Sequence, residues 1–234
     1  MGYDSEPRKR KGLYENVIKE IYQYINTNEL LPGDKLPSES EFSRLLGVSR
    51  NTVREAARIL QSLGIIQSGQ RTGMIIQEFS ISHLSNFFPN TVGIINTSTE
   101  KILEARLWYE TSIIDFIIAN ATPDDIENMR NAMVPMISAC LNDDGGTFLQ
   151  TDIDFHREYY KCIHNKILYG LGEIVLAYAE VSARETQLVQ PSTLTMMIMT
   201  LEEHKKIIQF VEEGNKDDLM QIIKTVHFMA PTNH

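Results

Sequence analysis

The sequence predicts a mainly α protein, with an N-terminal winged helix-turn-helix followed by an all-α bundle of about six helices. Three observations predict it. Between Gly33 and Gln77, two short amphipathic stretches meet at a glycine and are followed by two short apolar runs around a Gly-x-x-x-Gly tip. From Thr99 onward, apolar residues recur at helical spacing with no strand-like alternation. Between these regions, residues 79–98 have no clear period and hold Pro89, Gly93 and several Asn, Ser and Thr. A chain of 234 residues can form two cores. The division is therefore 1–78, a linker at 79–98 in which Leu84, Phe87 and Phe88 dock locally, and 99–234.

Arg8-Lys9-Arg10-Lys11 reads as a solvated, frayed terminus with reach to phosphates in a complex. Leu13 to about Asn26 is an amphipathic helix that turns Val17, Ile21, Tyr24 and Ile25 inward. Leu31-Pro32-Gly33-Asp34 is a turn. Ser38 and Glu41 form an S-x-x-E capping box, so a helix starts near Glu39 with Phe42, Leu45 and Leu46 on its inner face. Gly47 supplies the left-handed stop. Ser49 caps a second helix to about Leu63, with Val53, Ala56, Ala57 and Leu60 on one face and Arg50, Arg54 and Arg58 on the next, Asn51 beside them. Ile65–Ser68 and Met74–Gln77 read as strands around the basic tip Gly69-Gln70-Arg71-Thr72-Gly73. A second helix with an arginine stripe is the layout that enters the DNA major groove. On periodicity alone, an arginine at every fourth position is equally a solvated face.

In the second region, Thr99 caps a helix through Ala119, with Ile102, Leu103, Leu107, Ile113 and Ile117 among its apolar positions. Thr122-Pro123-Asp124-Asp125 supplies a cap, a first-turn proline and an acidic first turn for another helix, kinked at Pro135. Asp143-Asp144-Gly145-Gly146 is a loop. Helices follow to about Ile163, from Lys166 to about Val189, from about Ser192 to Glu213 and, after a break at Gly214-Asn215, from about Asp217 to Phe228. Tyr159, Tyr178, Met196, Met197 and Met199 are expected in the core or a pocket wall.

Charge is divided unevenly. Residues 1–78 carry 11 Lys and Arg against 10 Asp and Glu, and residues 79–234 carry 11 against 21, for a net −9 overall. DNA binding requires positive charge at the contact rather than over the whole chain, so the acidic remainder is expected to do another job. No run of about 20 apolar residues is present, and the charged N-terminus has no apolar segment behind it, so neither a membrane span nor a secretory signal is expected. Cys140 and Cys162 lack metal spacing and read as reduced thiols of a cytoplasmic protein. No Walker-type glycine loop or G-x-S-x-G occurs.

Asp152 and His156 are four apart and share a helix face, while His204 and His227 lie on later helices among apolar positions. One carboxylate and three imidazoles can hold a divalent metal, and each can equally be a hydrogen-bonded core residue.

The segment PGDKLPSESEFSRLLGVSRNTVREAARILQSLGII, with its G-x-x-x-G wing, resembles the DNA-binding domain of the GntR family of bacterial transcription regulators. It departs at Ser40, where many members carry an Arg that helps hold DNA. The resemblance implies phosphate or base contacts by Arg50 and Arg54, with Arg58 and Arg71 alongside. It also implies backbone contacts by Ser49, Asn51 and Thr52, and a wing that approaches DNA at Gly73. E-A-R-L-W-Y-E at 104–110, D-I-D-F-H at 152–156, H-N-K-I-L at 164–168, E-H at 203–204 and the late His227 resemble the FCD ligand-sensing domain of the family's FadR-like branch. That resemblance makes Asp152, His156, His204 and His227 ligands of a divalent transition metal, zinc first, with nickel and manganese as alternatives. Members commonly carry Gly where this chain has His164.

Open positions on such a metal would suit a small organic-acid effector, with an arginine clamping its far end. Arg106 is the first candidate, with a salt bridge to Glu110 as its competing role; Arg184 and Asn165 come next, and Asp154 is left solvated or behind the metal ligands. The function expected is a non-enzymatic, ligand-responsive regulator that binds a palindromic double-stranded operator as a homodimer. The alternative is a metal-dependent enzyme acting on a small hydroxy or carboxylic acid, for which no general base or nucleophile stands out.

Overall fold

The computed structural model describes residues 6–69, 73–78, 97–189 and 192–228, with the side chains of 6–11, 187, 189 and 226–228 outside that description. It is mainly α, and the chain forms two compact units, 1–84 and 85–234.

The first unit has the order α1 (Glu6–Thr27), β1 (Lys35–Leu36), α2 (Glu39–Leu46), α3 (Arg50–Ser62), β2 (Ile66–Gly69) and β3 (Gly73–Ile76). Helix α1 begins at Glu6, ahead of the basic cluster that the sequence reads as frayed. Of its inward residues, Val17 and Ile21 are buried and Tyr24 and Ile25 pack against the core. Ser38 caps α2 as expected: its hydroxyl accepts from Glu41 N, and the Glu41 carboxylate accepts from Ser38 N at 2.8 Å. Gly47 ends α2 at φ 65°, where a side chain would be strained. Phe42 fills the core and meets Tyr24 edge-on at 5.4 Å, but Leu45 is 63% exposed, because α2 is only two turns long and a single stripe faces α3. Val53, Ala56, Ala57 and Leu60 of α3 are all buried, and the two alanines let α1 and α2 approach closely.

The wing forms an antiparallel hairpin in register Ile66↔Ile76 and Gly69↔Gly73, and β1 adds to its other edge through Lys35↔Ile75 and Leu36↔Met74, giving the order β1-β3-β2. Burial of Ile66, Met74 and Ile76 holds this small sheet on the helices, each side chain worth about 1.5–3 kcal/mol. The tip residues 70–72, including Arg71, and the expected local docking of Leu84, Phe87 and Phe88 lie outside the described residues.

The second unit is helical throughout its described residues: α4 (Thr99–Asn120), α5 (Pro123–Leu141), α6 (Gly145–Lys161), α7 (Lys166–Val189), α8 (Leu194–Glu213) and α9 (Lys216–Phe228). Ser98 rather than Thr99 caps α4. Thr122 and Asp125 form a reciprocal capping box on α5, and Pro135 sits inside this continuous helix. Gly145 and Gly146, expected in a loop, form the first turn of α6 because Asp144 accepts from Thr147 N and caps it. Helix α5 lies along α6 and α8, α4 along α7 and α9, and α6 against α7. Ile113, Ile117, Met129, Phe155, Leu176, Ile207 and Leu219 are central to the core. Met197 and Tyr159 are buried in it, whereas Met196 and Met199 are 47% and 44% exposed. Successive residues of α8 fan around the helix, so only one methionine of that run faces inward.

Gly172 of α7 marks a close approach: a Cβ there would stand 2.5 Å from Tyr160 Cδ2 and 2.8 Å from the Tyr109 hydroxyl. His164 takes φ 51°, the left-handed conformation that glycine adopts more cheaply, and its Nε2 lies 2.7 Å from Asp125 Oδ2. Burial works to raise the Asp125 carboxyl, but hydrogen bonds from Thr122 and His164 hold it below the usual carboxylate range.

Candidate functional sites

In the first unit the candidate face is α3. Its N-terminal turn is built by Ser49, whose Oγ accepts from Thr52 N at 3.2 Å and lies 2.8 Å from Thr52 Oγ1. A helix N-terminus closed by a small hydroxyl leaves backbone N–H groups and partial positive charge facing outward. Arg50, Arg54 and Arg58 keep side-chain exposures of 65%, 43% and 67%. Glu39 on α2 draws Arg50 to 3.3 Å and Arg54 to 3.9 Å, Arg54 donates to Asn51 Oδ1, and Arg58 pairs with Glu55 at 3.0 Å. Exposed pairs of this kind are worth at most about 1 kcal/mol, so a phosphate can displace them. Gly73 adopts φ 74° at the base of the wing, a conformation that costs a glycine little. Ser49, Arg50, Asn51 and Arg58 are exposed and Thr52 and Arg54 partly exposed, all off the buried face of α3.

In the second unit α6 and α8 bring together Asp152, His156 and His204. Their ligand atoms all lie within 4.8 Å of one another. His204 Nε2 stands 3.3 Å from His156 Nε2 and 3.3 Å from Asp152 Oδ1, and His156 Nε2 stands 4.0 Å from Asp152 Oδ1. Ligands bound tetrahedrally at zinc–nitrogen distances stand about 3.3 Å apart, so two of these edges match and the third is wider. Both imidazoles are buried, and Asp152 is partly accessible at 17%. Burial, opposed by Asp152, pushes the His204 imidazole down to about 3, so it is neutral at physiological pH, the form that binds a metal. Its ring stacks on Phe155 at 4.0 Å, and its Nδ1 lies 3.4 Å from Met136 Sδ, which aims Nε2 at the other two groups. The donor set therefore fits a divalent cation. His227 is carried on α9, and its side chain lies outside the described residues.

Behind His156 lies a buried polar network. Arg106 Nε donates to Glu110 Oε1 at 2.9 Å, and the Tyr160 hydroxyl donates to the same oxygen at 2.8 Å. Arg106 and Glu110 are 8% and 1% exposed. Burial works against charge on Arg106, but the adjacent Glu110 carries the net shift upward, so the guanidinium stays charged. The expected i,i+4 salt bridge thus forms through Nε alone, and neither Nη has a hydrogen-bond partner among the described residues.

Arg184 and Asn165 are engaged elsewhere. Arg184 is 61% exposed and donates to Glu180 and Gln150, and Asn165 Oδ1 caps α7 by accepting from Ile167 N and Leu168 N. Asp154 is solvated and pairs with Arg157 at 2.6 Å. Tyr178 is half-buried. The sequence reading missed Tyr160 and the approach of Glu110 Oε1 to His156 Nδ1 at 3.3 Å, since one i,i+4 spacing signals Arg106 and nothing local signals His156. Cys140 and Cys162 are buried and free of disulfides.

Two family models match this chain. One, described as "Bacterial regulatory proteins, gntR family", matches residues 13–76, and the other, "FCD domain", matches residues 101–226. The chain is 28% identical over 192 residues to the HTH-type transcriptional regulator LutR of Bacillus subtilis, covering 82% of this chain and 87% of that one. It is 30% identical over 191 residues to the HTH-type transcriptional repressor NanR of Shigella sonnei, covering 78% and 69%. The solved structure of a Streptococcus agalactiae GntR superposes with a TM-score of 0.68 at 24% identity, covering 93% of this chain and 100% of that one, and this likeness is one of fold. No helix among the described residues is long and apolar enough to cross a membrane.

Proposed function

Because this chain belongs to the GntR family of bacterial regulatory proteins, with an FCD domain behind the DNA-binding one, it is a ligand-responsive transcription regulator and not an enzyme; we propose that it binds a palindromic operator as a homodimer and senses a small organic acid at a metal site in the FCD domain. Residues 1–78 are the DNA-binding domain, 79–98 the linker and 99–234 the sensor, and the protein works in the cytoplasm, where its operator is. Arg50, Arg54, Arg58 and Arg71 supply the phosphate and base contacts, Ser49, Asn51 and Thr52 hold the backbone at the helix N-terminus, and Gly73 lets the wing approach. Dimer symmetry places two recognition helices about one DNA turn apart.

The observation that carries the sensor reading is the convergence of Asp152, His156 and His204 beside a buried Arg106 with unpaired Nη groups among the described residues. Asp152, His156, His204 and His227 would hold the cation, zinc before nickel because imidazole-rich sets suit those two, with manganese, which prefers oxygen donors, after them. The cation supplies Lewis acidity toward carboxylate or hydroxyl oxygens. Arg106 keeps Nε on Glu110 and offers its Nη edge to the effector carboxylate, with Arg184 and Asn165 as outer contacts reached only if they leave their present partners. A charged guanidinium whose Nη edge has no hydrogen-bond partner among the described residues favours an anionic ligand there. Effector binding then shifts operator affinity by a coupling free energy that both ligands share.

A thermal-shift screen of organic acids, with and without chelator, tests this reading. The expected result is a rise in Tm for a hydroxy or dicarboxylic acid that disappears when chelator removes the metal, followed by a change in operator affinity with the same acid. Acids that raise Tm equally in chelator overturn the metal-borne site.

A further inference from the structure

We propose that Glu110 is a positioning residue for the metal site, fixing the tautomer of His156 so that Nε2 faces the cation. The inference rests on the metal reading above and assigns a new role within it. Glu110, on α4, is nearly fully buried, and His156 meets it from α6. His156 Nδ1 lies 3.3 Å from Glu110 Oε1 and has no aligned hydrogen bond among the described residues. On the other side of the ring, Nε2 faces His204 Nε2 and Asp152 Oδ1.

A neutral imidazole has one N–H and one lone pair, so the two edges of this ring cannot both donate. With the proton on Nδ1, the ring turns an N–H to a carboxylate and a lone pair to the cation. With the proton on Nε2, it sets a lone pair against a carboxylate oxygen at 3.3 Å and points a hydrogen into the metal position. Electrostatics select the first arrangement. At 3.3 Å the pair stands just beyond a formed hydrogen bond, and a carboxylate behind a metal-bound histidine is the arrangement that fixes this tautomer. Glu110 is itself held in place, since Arg106 Nε and the Tyr160 hydroxyl donate to that same oxygen. One carboxylate oxygen therefore joins a metal ligand to the arginine proposed to clamp the effector.

The test uses the full-length protein with zinc chloride alone as the probe. Zinc affinity by chelator competition is measured for wild type, Glu110→Gln and the control Arg130→Gln. Glu110→Gln keeps the shape but turns a strong acceptor into an amide, and its zinc dissociation constant is expected to rise about 10–100-fold. Arg130→Gln breaks an exposed ion pair with Glu212 that touches neither Glu110 nor the metal ligands, so it should keep wild-type zinc affinity. Equal losses in both variants would make Glu110 a merely structural partner. A long-range proton–nitrogen correlation spectrum of metal-free wild type needs no variant and reads the tautomer directly: protonated Nδ1 is expected for His156, and protonated Nε2 overturns the proposal. If wild type binds zinc and Glu110→Gln binds it equally well, the role of Glu110 fails alone. If wild type binds no zinc, the metal site fails and this role with it.

Discussion

Removing the His204 imidazole should flatten the acid sensitivity of the metal-free protein by a calculable amount. Burial holds His204 at about 3 in the folded chain, whereas an unfolded histidine titrates near about 6.5. Because the folded value is the lower one, the stability at stake is fully present above the unfolded value and is lost as pH falls toward the folded one. Between pH 7 and pH 5 the unfolded chain takes up a proton that the folded chain refuses, and the integrated cost is about 2 kcal/mol. His204→Gln removes the titration while keeping a polar side chain of similar reach. It will lower stability at both pH values, because it loses the stack on Phe155, but that loss cancels in the comparison. The assay is urea denaturation in chelator at the two pH values for both proteins. Wild type should lose about 2 kcal/mol more than the variant on acidification. Equal losses would refute the assignment of His204 as a buried, neutral imidazole.

Three further outcomes follow from the geometry. Arg54→Ala should weaken operator binding by about 1–3 kcal/mol in a titration against a duplex selected from a random pool, while wild-type affinity would remove Arg54 from the interface. Arg106→Lys keeps the charge but loses the planar fork, so calorimetry should show weaker effector binding with unchanged zinc content; equal effector affinity would reduce Arg106 to the partner of Glu110. Gly172→Ala should cost about 1–3 kcal/mol of stability, since the added Cβ meets Tyr160 and Tyr109 at 2.5–2.9 Å between two packed helices, and an unchanged Tm would contradict that packing.

Where local chemistry decides structure, the sequence was legible. The Ser38–Glu41 box, the Gly47 stop, the Ser49 cap and the Thr122-Pro123 entry each act within four residues, and all are found in their expected places. The buried and arginine faces of α3 follow from one periodicity and needed no partner to be read. Features that depend on distant partners were not legible. The two-residue strand β1 exists only because β3 offers it an edge, and the exposure of Leu45 reflects which side of α2 meets α3. The start of α1 at Glu6 and the helical Gly145-Gly146 went against local propensity, which disfavours glycine and clustered like charge in helices. Within the bundle, helical spacing placed Asp152 and His156 on one face, but only the packing of α8 on its neighbours brings His204 to them. The position of Glu110 behind His156, and the Met136 and Phe155 contacts that aim His204, arise from the same packing and leave no mark in the local sequence.

The central claim, that this regulator senses through a metal centre in its helical domain, is tested most directly by elemental analysis of purified protein after loading and desalting. Wild type should retain about one divalent ion per chain, and His204→Ala, stripped of a buried ligand, should lose most of it under the same washing. A wild type that holds no metal after loading would contradict the claim and leave Asp152, His156 and His204 as a hydrogen-bonded cluster in the core.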